Sequence, residues 1–184
     1  PLSFTYPDDI HLDSRSRLPL RPGPYRTSVS ALYGRMASPG GIGPFQIRAY
    51  GQGLPSLESR VGERLMMLAI LVTARAHDSQ YDWTINEPAA VASGLQPEVI
   101  EIVRHRRSST GLNENDAALV DFARELFTDY NVAADTYARA AEAFGETDLV
   151  DLVALMGAHA ADAAVLAAFD QHLPDGRQPL LPLP

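Results

Sequence analysis

Eight consecutive apolar residues, Leu65 to Val72, constrain the fold of this chain more than any other feature. They lie in a helical pattern that extends from Leu57 to about His77, and in its middle apolar side chains occupy most faces of the helix. A helix that is apolar on nearly all sides must be covered by other elements on those sides. The run therefore predicts a central buried helix with the rest of the domain packed around it.

The pattern stays helical along most of the remaining chain. Asp78 or Ser79 is a plausible N-cap for a second helix, which should run to Ser93 and stop at Gly94. Pro88 inside it predicts a kink or a late start, because proline lacks the backbone donor. Further helices are predicted at about 97–107, 113–129, 134–144 and 147–172. No convincing strand, repeat or second domain is visible, so the predicted class is all-α.

The ends of the chain differ from the helical middle in their proline content. Residues 1–27 are predicted to be an extended Pro-rich arm, and residues 174–184 a Pro-rich tail. The helical domain is predicted over 28–173. Its first part should hold a short helix at Ser28–Ala37 and a loop or short helix at Phe45–Leu54.

Two residue types are missing from the chain, and their absence limits its chemistry. There is no cysteine, and all 15 Lys and Arg positions are Arg. Disulfides, thiolate nucleophiles and cysteine metal sites are thereby excluded. A lysine Schiff base with a carbonyl substrate is excluded as well. Any catalysis must use His, Asp, Glu, Tyr, Ser or Arg.

The charge pattern bears on the class of partner. A net charge of −8 argues against nucleic acid, which needs a clustered basic face. Basic residues cluster at Arg104 to Arg107, where they are expected to complement a helix dipole and stay solvated; the alternative is a site for an anion or a partner. No apolar run approaches the roughly 18 residues of a membrane span, and no secretory signal is visible. We therefore expect a cytoplasmic protein without a membrane partner.

Three segments carry a resemblance to a known family: Leu68–Arg75, the triplet Tyr81–Trp83, and Gly94-Leu95 before a Pro-Glu helix start. Together they resemble the carboxymuconolactone decarboxylase family, over roughly residues 43–170. The resemblance implies the all-helical fold that this family shares with the alkylhydroperoxidase D-like proteins. It also implies a small carboxylated or carbonyl-bearing substrate, proton-transfer chemistry without metal or organic cofactor, and assembly into a dimer, trimer or hexamer.

The chain departs from the redox branch of that family at four positions. The resemblance places the branch's glutamate at Met67, its two cysteines at Ser79 and Asp82, and its histidine at Asn86. A peroxidase of this type needs a thiolate to attack the peroxide and a carboxylate–imidazole relay to move the proton. Thiol-dependent hydroperoxide reduction is therefore rejected.

Candidate catalytic residues concentrate in the polar stretch that follows the buried helix. His77 titrates nearest neutrality and is the natural proton carrier, or else a capping residue. Tyr81 and Asp78 can supply a phenol donor and a carboxylate, although Asp78 can equally be an N-cap. His159 lies on a nearly all-apolar helix, where it must find a hydrogen-bond partner or line a cavity. It is a core histidine or a second acid/base group.

Candidate substrate-binding residues lie beside them. Arg75 is the best candidate for a carboxylate, which arginine binds through two parallel hydrogen bonds. Trp83 is a pocket wall or a core residue, and Asn86 is predicted to be a hydrogen-bond donor. Glu87 is a base if desolvation raises its pKa, or a partner in a helix salt bridge. Two weaker candidates for a lid are Arg48 and Tyr50. No ligand spacing typical of a metal site is present, so neither metal nor cofactor is predicted.

These observations give two functional hypotheses. The first is a cofactor-free lyase or isomerase that moves a proton on a small carboxylated or lactone/carbonyl substrate. The second is a non-catalytic binding or oligomeric scaffold protein that kept the helical fold after losing the redox site. Under both hypotheses we expect a homo-oligomer, because a monomer of 184 residues has few places to hide all-round apolar helices and Pro-rich arms.

Overall fold

A computed structural model describes residues 61–183 and, apart from them, Leu12. The predictions for the N-terminal arm, for the segments up to Leu54 and for a lid at Arg48 and Tyr50 lie outside the described residues. Within 61–183 the structure is all-helical and has no strand, which confirms the predicted class. The six helices of this part are α1 Glu63–Ala76, α2 Gln80–Ala92, α3 Pro97–Arg104, α4 Glu114–Thr128, α5 Ala134–Phe144 and α6 Glu146–Ala168.

Helix α1 is the central helix, as the apolar run predicts. It packs against α2, α3, α4 and α6. Its residues from Leu68 to Leu71 are fully buried. The hydroxyl of Thr73, also buried, donates to the carbonyl of Ala69 at 2.8 Å, so this polar side chain is satisfied inside the helix. The helix begins later than predicted, at Glu63, after Gly62 with a φ of 82°.

The capping residues lie where local sequence signals place them. Ser79, rather than Asp78, is the N-cap of α2, and its hydroxyl accepts a hydrogen bond from the backbone of Asp82 at 3.4 Å. Asn113 caps α4 in the same way. Gly145 ends α5 with a φ of 76°. Helix α2 starts at Gln80, upstream of Pro88, so the predicted late start does not occur.

Two helices end earlier than predicted, and both ends have the same geometry. α3 stops at Arg104 and α6 at Ala168. Past each end, Arg106 and Asp170 adopt a left-handed backbone with φ of 50° and 49°. The amide of Arg107 then donates to the carbonyl of Ile102 at 2.9 Å, which is the long hydrogen bond of a Schellman motif. Glycine usually occupies the left-handed position of this motif. Here Arg106 and Asp170 adopt that conformation instead.

The C-terminal tail packs against the first turns of α2. The backbone amides of Leu180 and Leu181 donate to Thr84 Oγ1 and to Gln80 Oε1, each at 3.2 Å. The side chain of Leu181 is 4% exposed and belongs to the hydrophobic core. The tail is therefore part of the packed structure, although it is rich in proline and forms no helix.

Helix α6 is apolar along most of its length. Over Asp151–Ala168 it is the one helix of the described residues long and apolar enough, by length and composition alone, to cross a membrane. One third of that segment is buried, and the helix packs against α1 and α5. One such helix is weak evidence for a membrane span, because the core helix of a soluble protein passes the same test of length and composition.

Candidate anion-binding site

A cavity of about 470 Å³ lies where the last turn of α1 meets the end of α3 and the second half of α4. This volume is in the range of pockets for small organic ligands. Its apolar wall includes Val72, Val103 and Phe127. Three arginines from the three segments also line it: Arg75, Arg106 and Arg124.

The guanidinium groups are close enough to affect one another. Burial lowers the pKa of Arg75, the nearby charge of Arg106 lowers it further, and Asp78 opposes both effects. Burial also lowers the pKa of Arg124; Asp121 opposes this, while Arg106 adds to it. An arginine remains protonated under any such shift. The cavity therefore concentrates positive charge, and a bound anion would relieve the repulsion.

Protein oxygens hold each guanidinium in place. Arg75 Nη1 donates to the carbonyl of Pro182 in the tail at 2.9 Å. Arg106 Nη2 donates to the carbonyl of Arg75 at 3.1 Å, and Arg124 Nη2 to that of Ile102 at 3.3 Å. Donors that are positioned before a ligand arrives bind it at a lower entropic cost.

Asp78 is the carboxylate of this site. Its Oδ1 atom lies 3.0 Å from Arg75 Nη1 and accepts a hydrogen bond from Arg106 Nη2 at 2.8 Å. The side chain is 36% exposed, so water still reaches it. In sequence Asp78 is a candidate catalytic group or an N-cap, whereas in the structure it pairs with two of the three cavity arginines.

His77 lies next to the cavity wall. It follows α1 as its C-cap residue, and its ring meets Phe127 edge-on with 5.0 Å between ring centroids. His77 is exposed as a residue, but part of its ring is desolvated by contact with the protein. This desolvation lowers the pKa of His77, and the negative charge of Asp78 partly opposes the shift. The lowered pKa favours the neutral imidazole, the form in which it can accept a proton.

Two other predicted residues, Tyr81 and Asn86, lie in the first two turns of α2. Tyr81 and Asp82 are buried, and the hydroxyl of Ser79 donates to Asp82 Oδ2 at 3.2 Å. Asn86 Nδ2 donates to the backbone carbonyl of Asp82 at 2.8 Å. The residues that line the described cavity do not include Tyr81 or Asn86.

Trp83 and Glu87 form a bridge between α2 and α3. The indole Nε1 of the fully buried Trp83 donates to Glu87 Oε2 at 2.5 Å. The other oxygen of Glu87 is paired with Arg104, whose guanidinium lies 5.6 Å from the centre of the indole ring. Arg104 is also paired with Glu101. Glu87 thus forms a salt bridge, but with Arg104 of α3 and not within its own helix, and this contact holds Arg104 away from solvent.

His159 is 1% exposed in the middle of α6. It is absent from the lining of the described cavity, as is the exposed His77. The structure therefore places one histidine in the interior of the bundle and the other at its surface. Within residues 61–183, no group of three or more His, Asp or Glu side chains is arranged to hold a metal ion.

Sequence reasoning missed two of the three cavity arginines. Arg106 belongs to the basic cluster that was expected to stay solvated, with an anion site as the alternative. Arg124 carried no signal, because one arginine on an amphipathic helix is ordinarily a surface residue. Among the predicted binding residues, Arg75 alone lines the cavity.

No protein-family model, curated protein or solved structure matches this chain.

Proposed function

We propose that the protein is a cofactor-free lyase or isomerase that moves a proton on a small carboxylated or carbonyl-bearing substrate. One observation carries the proposal: Arg75, Arg106 and Arg124 converge on a cavity of about 470 Å³, and His77 packs against its wall. Guanidinium groups suit a carboxylate, and a neutral imidazole suits the removal of a proton.

The three arginines support the binding part of such a reaction directly. Proton transfer requires the substrate to extend past Phe127 to His77, which does not line the cavity. Arginine binds the substrate carboxylate and keeps it at the polar end of the cavity, while Val72 and Phe127 contact the apolar part. The imidazole of His77 takes a proton from carbon next to the carbonyl group. The electron pair of that C–H bond moves onto the carbonyl oxygen, where positive guanidinium groups stabilise the new charge. In a substrate with a C=C bond beyond that carbon, the electron pair returns from the oxygen to the far end of the C=C bond. That carbon takes the proton back from His77, which completes an isomerisation.

The proposal extends to fold type and assembly. We propose that the helical domain is of the alkylhydroperoxidase D-like type and that the protein is a cytoplasmic homo-oligomer. Assembly is supported by α6, on which small residues are exposed along one side. These residues are Ala154, Gly157, Ala161 and Ala164. The same surface favours the second candidate function, a non-catalytic oligomeric scaffold.

Proton transfer can be tested before the natural substrate is known. The purified protein would be incubated in D₂O with carboxylated lactones and keto acids, and deuterium entry into each compound followed by proton NMR. We expect enzyme-dependent exchange for carboxylated compounds and much slower exchange for the matching carboxamides. His77→Gln should abolish the exchange and retain binding, whereas His105→Gln, a change at a surface histidine, should leave the exchange unaltered.

Two results would contradict the proposal in different ways. Binding of carboxylates without any exchange that depends on His77 would favour a binding or scaffold protein. Absence of carboxylate binding, in a protein whose circular dichroism confirms a helical fold, would remove the site itself.

A further inference from the structure

Asp78 and Arg106 occupy the same position in two Schellman motifs, one at the end of α1 and one at the end of α3. Their φ angles are 49° and 50°, in the left-handed region that glycine occupies most easily. The long hydrogen bonds of the two motifs run from Ser79 to Ala74 at 2.8 Å and from Arg107 to Ile102 at 2.9 Å. Neither position carries the glycine that would fit it best.

The side chains at these two positions meet. Asp78 Oδ1 accepts a hydrogen bond from Arg106 Nη2 at 2.8 Å and lies 3.0 Å from Arg75 Nη1. One oxygen atom thus serves two guanidinium groups, although each guanidinium can bind both oxygens of a carboxylate in parallel. The pairing is therefore weaker than the one that a free carboxylate could form in the same place.

The charges of the site remain unbalanced in this arrangement. Arg75, Arg106 and Arg124 line the cavity. Asp78 is paired with two of them, and Asp121, which is paired with Arg139, acts on the pKa of the third, Arg124. Side-chain exposures of 36% for Asp78 and 46% for Arg106 leave their contact open to water. Exposed ion pairs contribute little to stability, so the Asp78–Arg106 pair opens at a small cost in free energy. The Arg75 side chain is only 11% exposed, so the Asp78–Arg75 pair is the stronger of the two.

We propose that Asp78 is a resident counter-ion, which the carboxylate of an incoming ligand displaces from Arg75 and Arg106. This inference rests on the proposed function, because the same arginines bind the substrate there. Asp78 thereby sets the affinity threshold of the site: a ligand binds only when its anionic group competes successfully with a tethered carboxylate. Neutral molecules of the same shape leave the Asp78 pairs intact and are rejected. Asp78 is a specificity-determining residue in this scheme and takes no proton from the substrate.

The test compares anion binding by Asp78 variants. Asp78→Asn removes the charge and keeps a side chain that tolerates the left-handed backbone. Asp78→Gly removes the carboxylate at a φ that suits glycine, and so provides a second variant if the first folds poorly. Benzoate is the probe and benzamide its neutral counterpart, with dissociation constants from NMR titration of the full-length protein. Both variants should bind benzoate about three- to tenfold more tightly than the wild type, as expected when one exposed and one part-buried ion pair no longer compete.

A matched control separates displacement from a general change in charge. Asp121 is the carboxylate that opposes the lowered pKa of Arg124, but its own contacts are with Ser109 and Arg139. Asp121→Asn also removes one negative charge, but it leaves the pairs of Asp78 with Arg75 and Arg106 intact. It should therefore change benzoate affinity by less than about twofold. An equal gain in Asp121→Asn would overturn the inference.

The remaining outcomes distinguish the two proposals. Unchanged or weaker benzoate binding in the Asp78 variants overturns displacement, while loss of binding in Arg106→Gln would still support the cavity as the binding site. Absence of benzoate binding in the wild type and in every Asp78 variant overturns both proposals.

Discussion

Arg64 holds the buried carboxylate of Asp116 through two parallel hydrogen bonds. Nη1 donates to Oδ2 at 3.0 Å and Nη2 to Oδ1 at 2.7 Å. Asp116 is fully buried, whereas 32% of the Arg64 side chain is exposed. Asn113 Nδ2 also donates to the carboxylate, at 2.7 Å. The contact joins the first turn of α1 to the first turn of α4, and α4 carries one wall of the cavity.

Removal of Arg64 should destabilise the protein strongly. Arg64→Met leaves the buried charge of Asp116 with fewer donors, and the loss of one partner from a buried pair costs about 3–5 kcal/mol. Because Arg64 is partly exposed and Asn113 still donates, we expect a smaller loss, about 2 kcal/mol, in the free energy of unfolding measured with urea. Arg139→Met is the matched control. Arg139 is paired with Asp121 at the surface, so its loss should cost less than about 0.5 kcal/mol. Equal costs for the two variants would show that Asp116 does not depend on Arg64.

The ends of several helices could be predicted from the sequence because they depend on local contacts. Ser79 and Asn113 each bond to the backbone three residues later, so the capping signal lies within one turn of the chain. Gly94 and Gly145 similarly end α2 and α5 through their own backbone conformation. At Arg106 the same type of helix end is formed by a non-glycine residue, and there the predicted end was about three residues too late.

The site could be predicted only in part, because its arginines come from distant segments. Arg75 was identified through its position on the buried helix beside His77. Arg106 and Arg124 meet it because α3 and α4 pack on α1, and that packing depends on many apolar contacts rather than on one motif. The local context of Arg106 predicted solvation, since basic residues at a helix C-terminus are favourable without any ligand.

The tail should contribute to stability through one leucine. Leu181 is 4% exposed, and Leu183, two residues later, is 50% exposed. Leu181→Ala should lower the free energy of unfolding by about 2–3 kcal/mol, as expected for a leucine removed from a core. Leu183→Ala makes the same chemical change at the surface and should cost less than about 0.5 kcal/mol. Denaturant titration of both variants measures the difference. If both variants match the wild type, the tail does not pack on α2 in solution.

His77 should titrate below its ordinary pKa of 6.5, because its ring loses water against Phe127. The unfolded chain then binds more protons than the folded protein between the two pKa values. The contribution of His77 to stability is therefore complete above pH 6.5 and is lost as the pH falls through this window toward the folded-state pKa. In His77→Gln, the free energy of unfolding should depend less steeply on pH there. Denaturant titrations at several pH values measure this dependence.

Two variants should move the pKa of His77 in opposite directions. Phe127→Ala readmits water to the imidazole and should raise the pKa toward 6.5, whereas Phe127→Leu keeps an apolar neighbour and should raise it less. Asp78→Asn removes the negative charge that opposes desolvation and should lower the pKa further. Proton NMR of the imidazole between pH 4 and 9 measures each value. An unchanged pKa in Asp78→Asn would mean that the Asp78 charge does not act on the ring, because Arg75 and Arg106 neutralise it.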